Sequence, residues 1–203
     1  MSAKLFLASS NAAKLGEFRA LAAAAGDVPC WEVEAIPGFE TLPAFHEEAP
    51  TFAENALGKA LHYSRLVAGL VFADDSGLVV PSLGGAPGVH SSRYAGERAT
   101  NRERVEKLLA ALREKQGSGR AAHFVCVITL ARGGRALALV SDRVDGRILE
   151  TRRGAGGFGY DPVFFYEPAQ KTFAELLAPE KNEQSHRGRA FRKLLAFLAS
   201  SAF

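Results

Sequence analysis

The chain has 203 residues, with 25 Lys and Arg against 22 Asp and Glu, a formal net charge of +3, and 47% hydrophobic residues. That balance suits a soluble globular protein with a sizeable core, and no apolar run approaches the roughly 20 residues of a membrane-spanning helix. Met1-Ser2-Ala3-Lys4 runs straight into a short apolar strand without the longer apolar region of a secretory leader, so a single cytoplasmic domain over 1–203 is predicted. The two cysteines, Cys30 and Cys126, lie far apart. They make neither a disulfide framework nor a zinc motif and are predicted to be reduced thiols, with Cys126 in the core.

Leu5-Phe6-Leu7-Ala8 reads as a first strand, followed by Ser9-Ser10-Asn11 and an Ala- and Leu-rich helix over about 12–25, closed by Gly26. The start of such a helix carries partial positive charge, and Ser9, Ser10, Asn11 and Lys14 together form a candidate phosphate cradle. The same residues serve equally as a plain N-cap followed by a solvated lysine. The glycine-rich pattern of a P-loop is absent. A short strand with Trp31, Val33 and Ile36 precedes a long loop that includes Glu47 and Glu48. Thr51 with Glu54 is a capping box for a helix to about Ala68, on which Phe52, Ala56, Ala60, Tyr63 and Val67 form an apolar stripe.

The stretch around which the chain is organised is Leu70-Val71-Phe72-Ala73-Asp74-Asp75-Ser76-Gly77. It reads as a buried strand that ends in a polar turn, the place where α/β sheets bind ligands. Successive strand side chains point to opposite faces, which splits Asp74 and Asp75 between two roles, one chemical and one structural. Asp-Asp-Ser-Gly is also ordinary turn chemistry.

Leu78-Val79-Val80 suggests another short strand before the loop Leu83 to Gly88, and Thr100 with Glu103 is a second capping box for a helix to about Lys115. Ala122–Leu130 and Ala136–Val144 are predicted as long strands of a second lobe, joined through Gly133-Gly134. A further strand is expected at 146–149, then a glycine-rich loop with Phe158, Gly159, Tyr160 and Asp161, and a strand at 163–165. That loop can bring backbone close to a ligand and offer an aromatic face, or can tuck its aromatics into the core. Thr172 with Glu175 is a third capping box, opening a short helix predicted to stop at Pro179. Lys181 follows, and His186 and Arg187 stand near the start of a final amphipathic helix. Cations there are disfavoured by the helix dipole, which points to an anionic or polar ligand, or else to a solvated basic face. The histidines at 46, 62, 90, 123 and 186 lack paired ligand spacing, and no Gly-x-Ser-x-Gly elbow is present. Zinc and serine hydrolases are thereby disfavoured, and acids such as Asp75 and Glu54 suit Mg²⁺.

Taken in order, Ser9-Ser10-Asn11-Ala12-Ala13-Lys14, Thr51 to Ala56, Ala73 to Leu78, Pro87-Gly88 with Ser92 to Gly96, Gly157 to Pro162, and Glu180-Lys181-Asn182 with Ser185-His186-Arg187 resemble the Ham1/RdgB family of inosine/xanthosine triphosphate pyrophosphatases. The family usually carries Thr-Gly-Asn where this chain has Ser9-Ser10-Asn11, and often a proline at the position of Arg152. The resemblance implies an α/β fold with a long central mixed sheet, flanking helices and two lobes around an active-site cleft, usually as a homodimer. It implies hydrolysis of non-standard purine nucleoside triphosphates (dITP, ITP, XTP) to monophosphate and pyrophosphate with Mg²⁺, and no nucleic-acid or membrane partner. By similarity Asp75 is the general base, Glu54 and Asp75 hold the metal, and Ser76 contacts substrate. Ser9 to Lys14 hold the phosphates, while Phe158, Gly159, Tyr160, Asp161, Lys181, His186 and Arg187 enclose the nucleoside. This requires Asp75, Lys14 and Arg187 to face one groove. The alternatives are the related Maf-type pyrophosphatases, which usually have an arginine pair in the first turn, and a nucleotide- or RNA-binding module without hydrolysis.

Overall fold

The computed structural model describes residues 3–26 and 31–200; Cys30 lies outside them. Seven strands form one mixed sheet in the order β2-β1-β3-β4-β5-β6-β7: β1 Ala3–Leu7, β2 Trp31–Ala35, β3 Leu70–Val79, β4 Ala121–Arg132, β5 Arg135–Ile148, β6 Phe164–Tyr166 and β7 Lys171–Thr172. β1 runs parallel to both β2 and β3, whereas β6 is antiparallel to β5 and β7. The helices are α1 Ala12–Ala25, α2 Phe52–Ser64, α3 Asn101–Ala111, α4 Ala178–Gln184 and α5 His186–Ser200. No helix among the described residues is long and apolar enough to cross a membrane.

The chain divides into two compact units, one of residues 1–75, 126–142 and 187–203, the other of 76–125 and 143–186. In the first unit, alternate residues of β3 feed two cores. Leu70 and Phe72 join Phe18 of α1 and Phe191 of α5, while Val71 and Ala73 join Ala60 and Tyr63 of α2. The Phe18 and Phe72 rings meet edge to face at 5.0 Å, a favoured aromatic geometry. Cys126 is buried in the Phe18 and Phe191 core, as its apolar surroundings predict. The second unit packs Val105, Leu108 and Leu112 of the α3 segment against Phe124, Val144, Phe164 and Phe173.

Several local expectations are corrected. β3 continues unbroken through Asp74, Asp75 and Ser76 instead of turning there, and it absorbs the separate strand expected at Leu78. β5 likewise absorbs the strand expected at 146–149, and the long strands β4 and β5 supply residues to both units instead of one. Glu175 does bond the Thr172 backbone, at 2.8 Å, but no helix follows. Pro179 instead lies in the first turn of α4, where its missing N–H costs nothing. The capping box at Thr100 and Glu103 is complete, with both reciprocal bonds formed.

Gly146 shows how tightly β5 meets β6: a methyl group added there would stand 2.5 Å from the Phe165 carbonyl and 2.7 Å from the Phe164 ring. Gly146→Ala is therefore expected to cost about 2 kcal/mol by overpacking and to lower the melting temperature by roughly 6 °C in a thermal melt.

Candidate functional site

β1 ends at Leu7, opposite Phe72, and Ala8 donates a last backbone bond to Phe72. Beyond that point β3 has lost its β1 neighbour, and the two acids come next. This is the carboxyl end of a parallel strand pair, where α/β sheets leave room for ligands.

The alternation of β3 then sorts the acids. Asp74 continues the series of Leu70 and Phe72 toward α1 and α5. It is fully buried, with Lys14 Nζ at 2.9 Å and Arg187 Nη2 at 3.6 Å from Oδ2. Burial alone would raise its pKa, but Lys14, Arg187 and Lys59 outweigh it and hold the carboxyl well below the usual carboxylate range. Arg187 is itself tied to Glu17 of α1 at 2.6 Å, so the start of α5 is clamped to α1 and β3 by charge. Arg187 thus belongs to a buried ion cluster and not to a solvated basic face.

Asp75 follows Val71 and Ala73 toward α2 and is 6% exposed. Asn55 Nδ2 donates to its Oδ2 at 3.0 Å. Burial, and next the charge of Glu47, push its pKa from 3.8 up to about 6, while Lys59, Asn55 and Lys14 act the other way. A carboxylate poised near neutrality in a partly closed site is the profile of a general base. Lys59 bonds Glu47 and also donates to the Asp74 carbonyl at 2.8 Å. The segment that carries Glu47 is strapped to α2 along its length. Asn55 makes both backbone bonds to Ala49, His62 Nε2 meets the Pro43 carbonyl at 2.7 Å, and the Phe45 backbone donates to Tyr63 Oη.

Lys14 and Arg187 therefore sit on the Asp74 face, not beside Asp75 as the groove expectation required; Lys14 still acts on Asp75 through its charge. Both carboxylates lie past the pairing of Leu7 with Phe72 at which β1 ends, Asp74 fully buried and Asp75 6% exposed. Ser9 and Asn11 are partly committed: Ser9 Oγ accepts from the Asn11 backbone, and Asn11 Oδ1 caps α1 by accepting from Ala13 and Lys14. Ser10 is exposed and, with Ser9, Asn11, Phe39 and Thr41, lines an open cavity of about 330 Å³ at the head of α1.

Glu54, the expected metal ligand, directly precedes Asn55, the residue that bonds Asp75. It is exposed in the first turn of α2, its carboxylate accepts the Thr51 hydroxyl at 2.6 Å, and among the described residues no contact joins it to Asp75. The acid whose charge bears on Asp75 is Glu47. Sequence reasoning also passed over Asn55 and Lys59. Their i, i+4 spacing beside the Ala56 and Ala60 stripe was the available signal, since it sets both on one helix face.

In the second unit the glycine-rich loop is organised by Asp161, which accepts from the Phe158 backbone at 2.7 Å and pairs with Lys181 Nζ at 2.7 Å, both side chains being buried. Gly157, at φ +68°, has to be glycine because a side chain there would collide with the Asp161 carboxylate. The ammonium of Lys181 stands 4.9 Å from the ring centre of Phe158, which is itself half-buried, as is Gly159. Tyr160 is a core residue: it is 4% exposed and its hydroxyl donates to the Ser91 carbonyl at 2.9 Å. Its ring is not offered for stacking. The ring of buried His186 stacks on Phe124 at 4.7 Å, and Ser76 is half-buried directly after Asp75.

The model of the Ham1 family matches residues 5–197. A dITP/XTP pyrophosphatase of Geobacillus kaustophilus is 47% identical over 94% of this chain and 92% of its own length. A protein of the same description from Gloeobacter violaceus is 46% identical over 98% and 96%. Among solved structures, a HAM1 protein from Coxiella burnetii superposes with a TM-score of 0.85 at 40% identity, covering 98% of this chain and all of that one. The Ham1 protein of Staphylococcus aureus gives 0.83 at 35% identity over 97% and 98%. The order of elements, the pair of acids on β3 and these likenesses lead to one conclusion: the chain belongs to the Ham1 family.

Proposed function

We propose that this protein hydrolyses non-standard purine nucleoside triphosphates, dITP or ITP and XTP, to the nucleoside monophosphate and pyrophosphate. The observation that carries the reading is Asp75, a nearly buried carboxylate with its pKa raised to about 6, at the carboxyl end of a parallel strand pair. The relatives' description as dITP/XTP pyrophosphatases supplies the substrate class.

In the reaction, Asp75 takes a proton from the water that attacks the α-phosphorus. The bond to the bridging oxygen breaks, and pyrophosphate leaves with that oxygen. Asn55 holds the base, and Lys14 adds positive charge toward the phosphates. Ser9, Ser10 and Asn11 border the cavity at the head of α1 that accommodates part of the phosphate chain. In the second unit, Phe158, beside the buried pair of Lys181 and Asp161, offers an aromatic surface to the base. Asp161 holds that surface, the Gly159 backbone lies alongside, and His186, like Arg187 in the first unit, acts from a buried position. Ser76 contacts substrate next to the base. A 6-keto purine presents an acceptor where adenine presents an amino donor, so a donor-lined pocket rejects ATP by leaving donors unpaired.

The residues fit Mg²⁺. Asp75 and Glu47 are close enough for the charge of one to raise the pKa of the other, a repulsion that a divalent ion relieves. Among the described residues no cluster of three or more His, Cys, Asp or Glu side chains could hold a metal ion alone. A pair of carboxylates completed by phosphate oxygens and water is the ordinary Mg²⁺ arrangement. Asp75 and Glu54 would hold the ion, directly or through water, and Glu47, which Lys59 shares, adds a further acid whose charge acts on Asp75. Bound there, Mg²⁺ neutralises charge on the triphosphate and polarises its phosphoryl oxygens. The reading extends to a single domain that acts in the cytoplasm as a homodimer and cleanses the nucleotide pool.

Pyrophosphate release from dITP, XTP, dATP, dGTP and dUTP, with Mg²⁺ and with a chelator, tests the proposal. Turnover of dITP and XTP far above the rest, lost on chelation, is expected; equal turnover of all five, or phosphate as the product, overturns it. Tyr160→Phe is expected to leave KM for dITP within about twofold while costing about 1–2 kcal/mol in a thermal melt, because it strands the Ser91 carbonyl without touching ligand.

A further inference from the structure

Asn55 is 1% exposed, and three of the four hydrogen-bonding positions of its carboxamide are engaged, both N–H donors among them. Oδ1 accepts from the Ala49 backbone at 3.0 Å; Nδ2 donates to the Ala49 carbonyl at 3.2 Å and to Asp75 Oδ2 at 3.0 Å. The two bonds to one residue's backbone fix which way the amide faces. Flipping it would set oxygen against a carbonyl and nitrogen against an N–H. The group that meets Asp75 is therefore always a donor, and it holds the carboxylate by Oδ2. Ala49 is also two residues from Glu47, which Lys59 holds from the next turn of α2. One side chain thus sets both the aim of the base and the position of the segment that brings up the second acid.

We infer that Asn55 is a positioning residue of the reaction, locking the Asp75 carboxylate and the 43–50 segment into one unit. The inference rests on the proposed pyrophosphatase activity for its consequence and on the geometry alone for its existence. It is tested with Asn55→Leu, which keeps the volume, and with Asn55→Ser should the first fail to fold.

In the wild-type background the substitution lowers kcat for dITP about 100-fold with KM within threefold, at a melting temperature well above that of the assay. In an Asp75→Asn background the same substitution lowers the residual kcat by less than threefold, because it acts through a base already removed. Equal factors in both backgrounds would mean a general structural role and would overturn the inference. Amide exchange supplies a readout independent of turnover: the Ala49 N–H exchanges at least tenfold faster in Asn55→Leu than in wild type. If wild type releases no pyrophosphate from any triphosphate, the proposed function falls, and the exchange result decides the inference. Faster exchange at Ala49 upholds the lock, and unchanged exchange overturns it.

Discussion

Asp75→Asn is expected to lower kcat for dITP by roughly a thousandfold, within the range that a general base contributes, and to raise the melting temperature at pH 7.5. The second half follows from the first. A carboxylate kept ready to accept a proton is a carboxylate kept out of water and near another acid, and that costs stability. The gap between the ordinary value of 3.8 and about 6 corresponds to roughly 3 kcal/mol. The amide removes most of this charge penalty while losing the attraction to Lys59, so a gain of about 2 kcal/mol, or roughly 5 °C, is expected.

The sign is fixed by linkage. Between about pH 4 and 6 the folded protein holds a proton at Asp75 that the unfolded chain has released, so wild-type stability falls as pH rises through that window. The advantage of Asp75→Asn is therefore complete above pH 6 and gone below pH 4. Wild-type turnover runs in the opposite sense, rising as Asp75 ionises, at a lower pH than in the metal-free protein because bound Mg²⁺ favours the carboxylate. Thermal melts at pH 4 and 7.5 beside a pH–rate profile check both; a variant that is inactive and less stable at pH 7.5 would show that Asp75 is a structural acid.

What could be read from the chain before its structure followed how local each signal was. The opposite facing of Asp74 and Asp75 was legible because the period of a strand is two, whatever surrounds it. The expected turn at Asp74 was wrong because the cations that let two acids lie within a strand come from Lys14, Lys59 and Arg187, up to 113 positions away in the chain. Pattern reading sees no such partner. Glu54 shows the converse: its capping signal was strong and correct because the hydroxyl it binds is only three residues away. Tyr160 shows the limit of composition, since an aromatic in a glycine-rich loop suits a ligand or a core equally well until Ser91 is seen beside its hydroxyl. The glycine at 157 carried more information than the aromatic, because it marked the place where Asp161 had to come close.

Asp74→Asn is expected to have the opposite effect from its neighbour. The wild-type carboxylate is fully buried and faces Lys14 and Arg187, which are themselves 16% and 4% exposed at the side chain. Removing the charge leaves Arg187 with only part of its compensation in Glu17, and breaking a buried pair from one side costs about 3–5 kcal/mol. The melting temperature should fall by roughly 10 °C. Because the partners of Asp74 hold its pKa well below the ordinary range, its contribution is complete above about pH 4 and is lost only as pH falls through its low folded value. Between pH 4 and 8 the deficit of Asp74→Asn is therefore flat, where the gain of Asp75→Asn changes from nothing to its full size. Turnover is expected to fall through KM more than through kcat, since Lys14 and Arg187 lose the anchor that holds them while the base is untouched. Measured side by side, two adjacent identical residues should give opposite signs of stability and different pH dependences. The cause is a single step along a strand, which turns one carboxylate toward cations that neutralise it and the other toward an amide and an acid that keep it reactive.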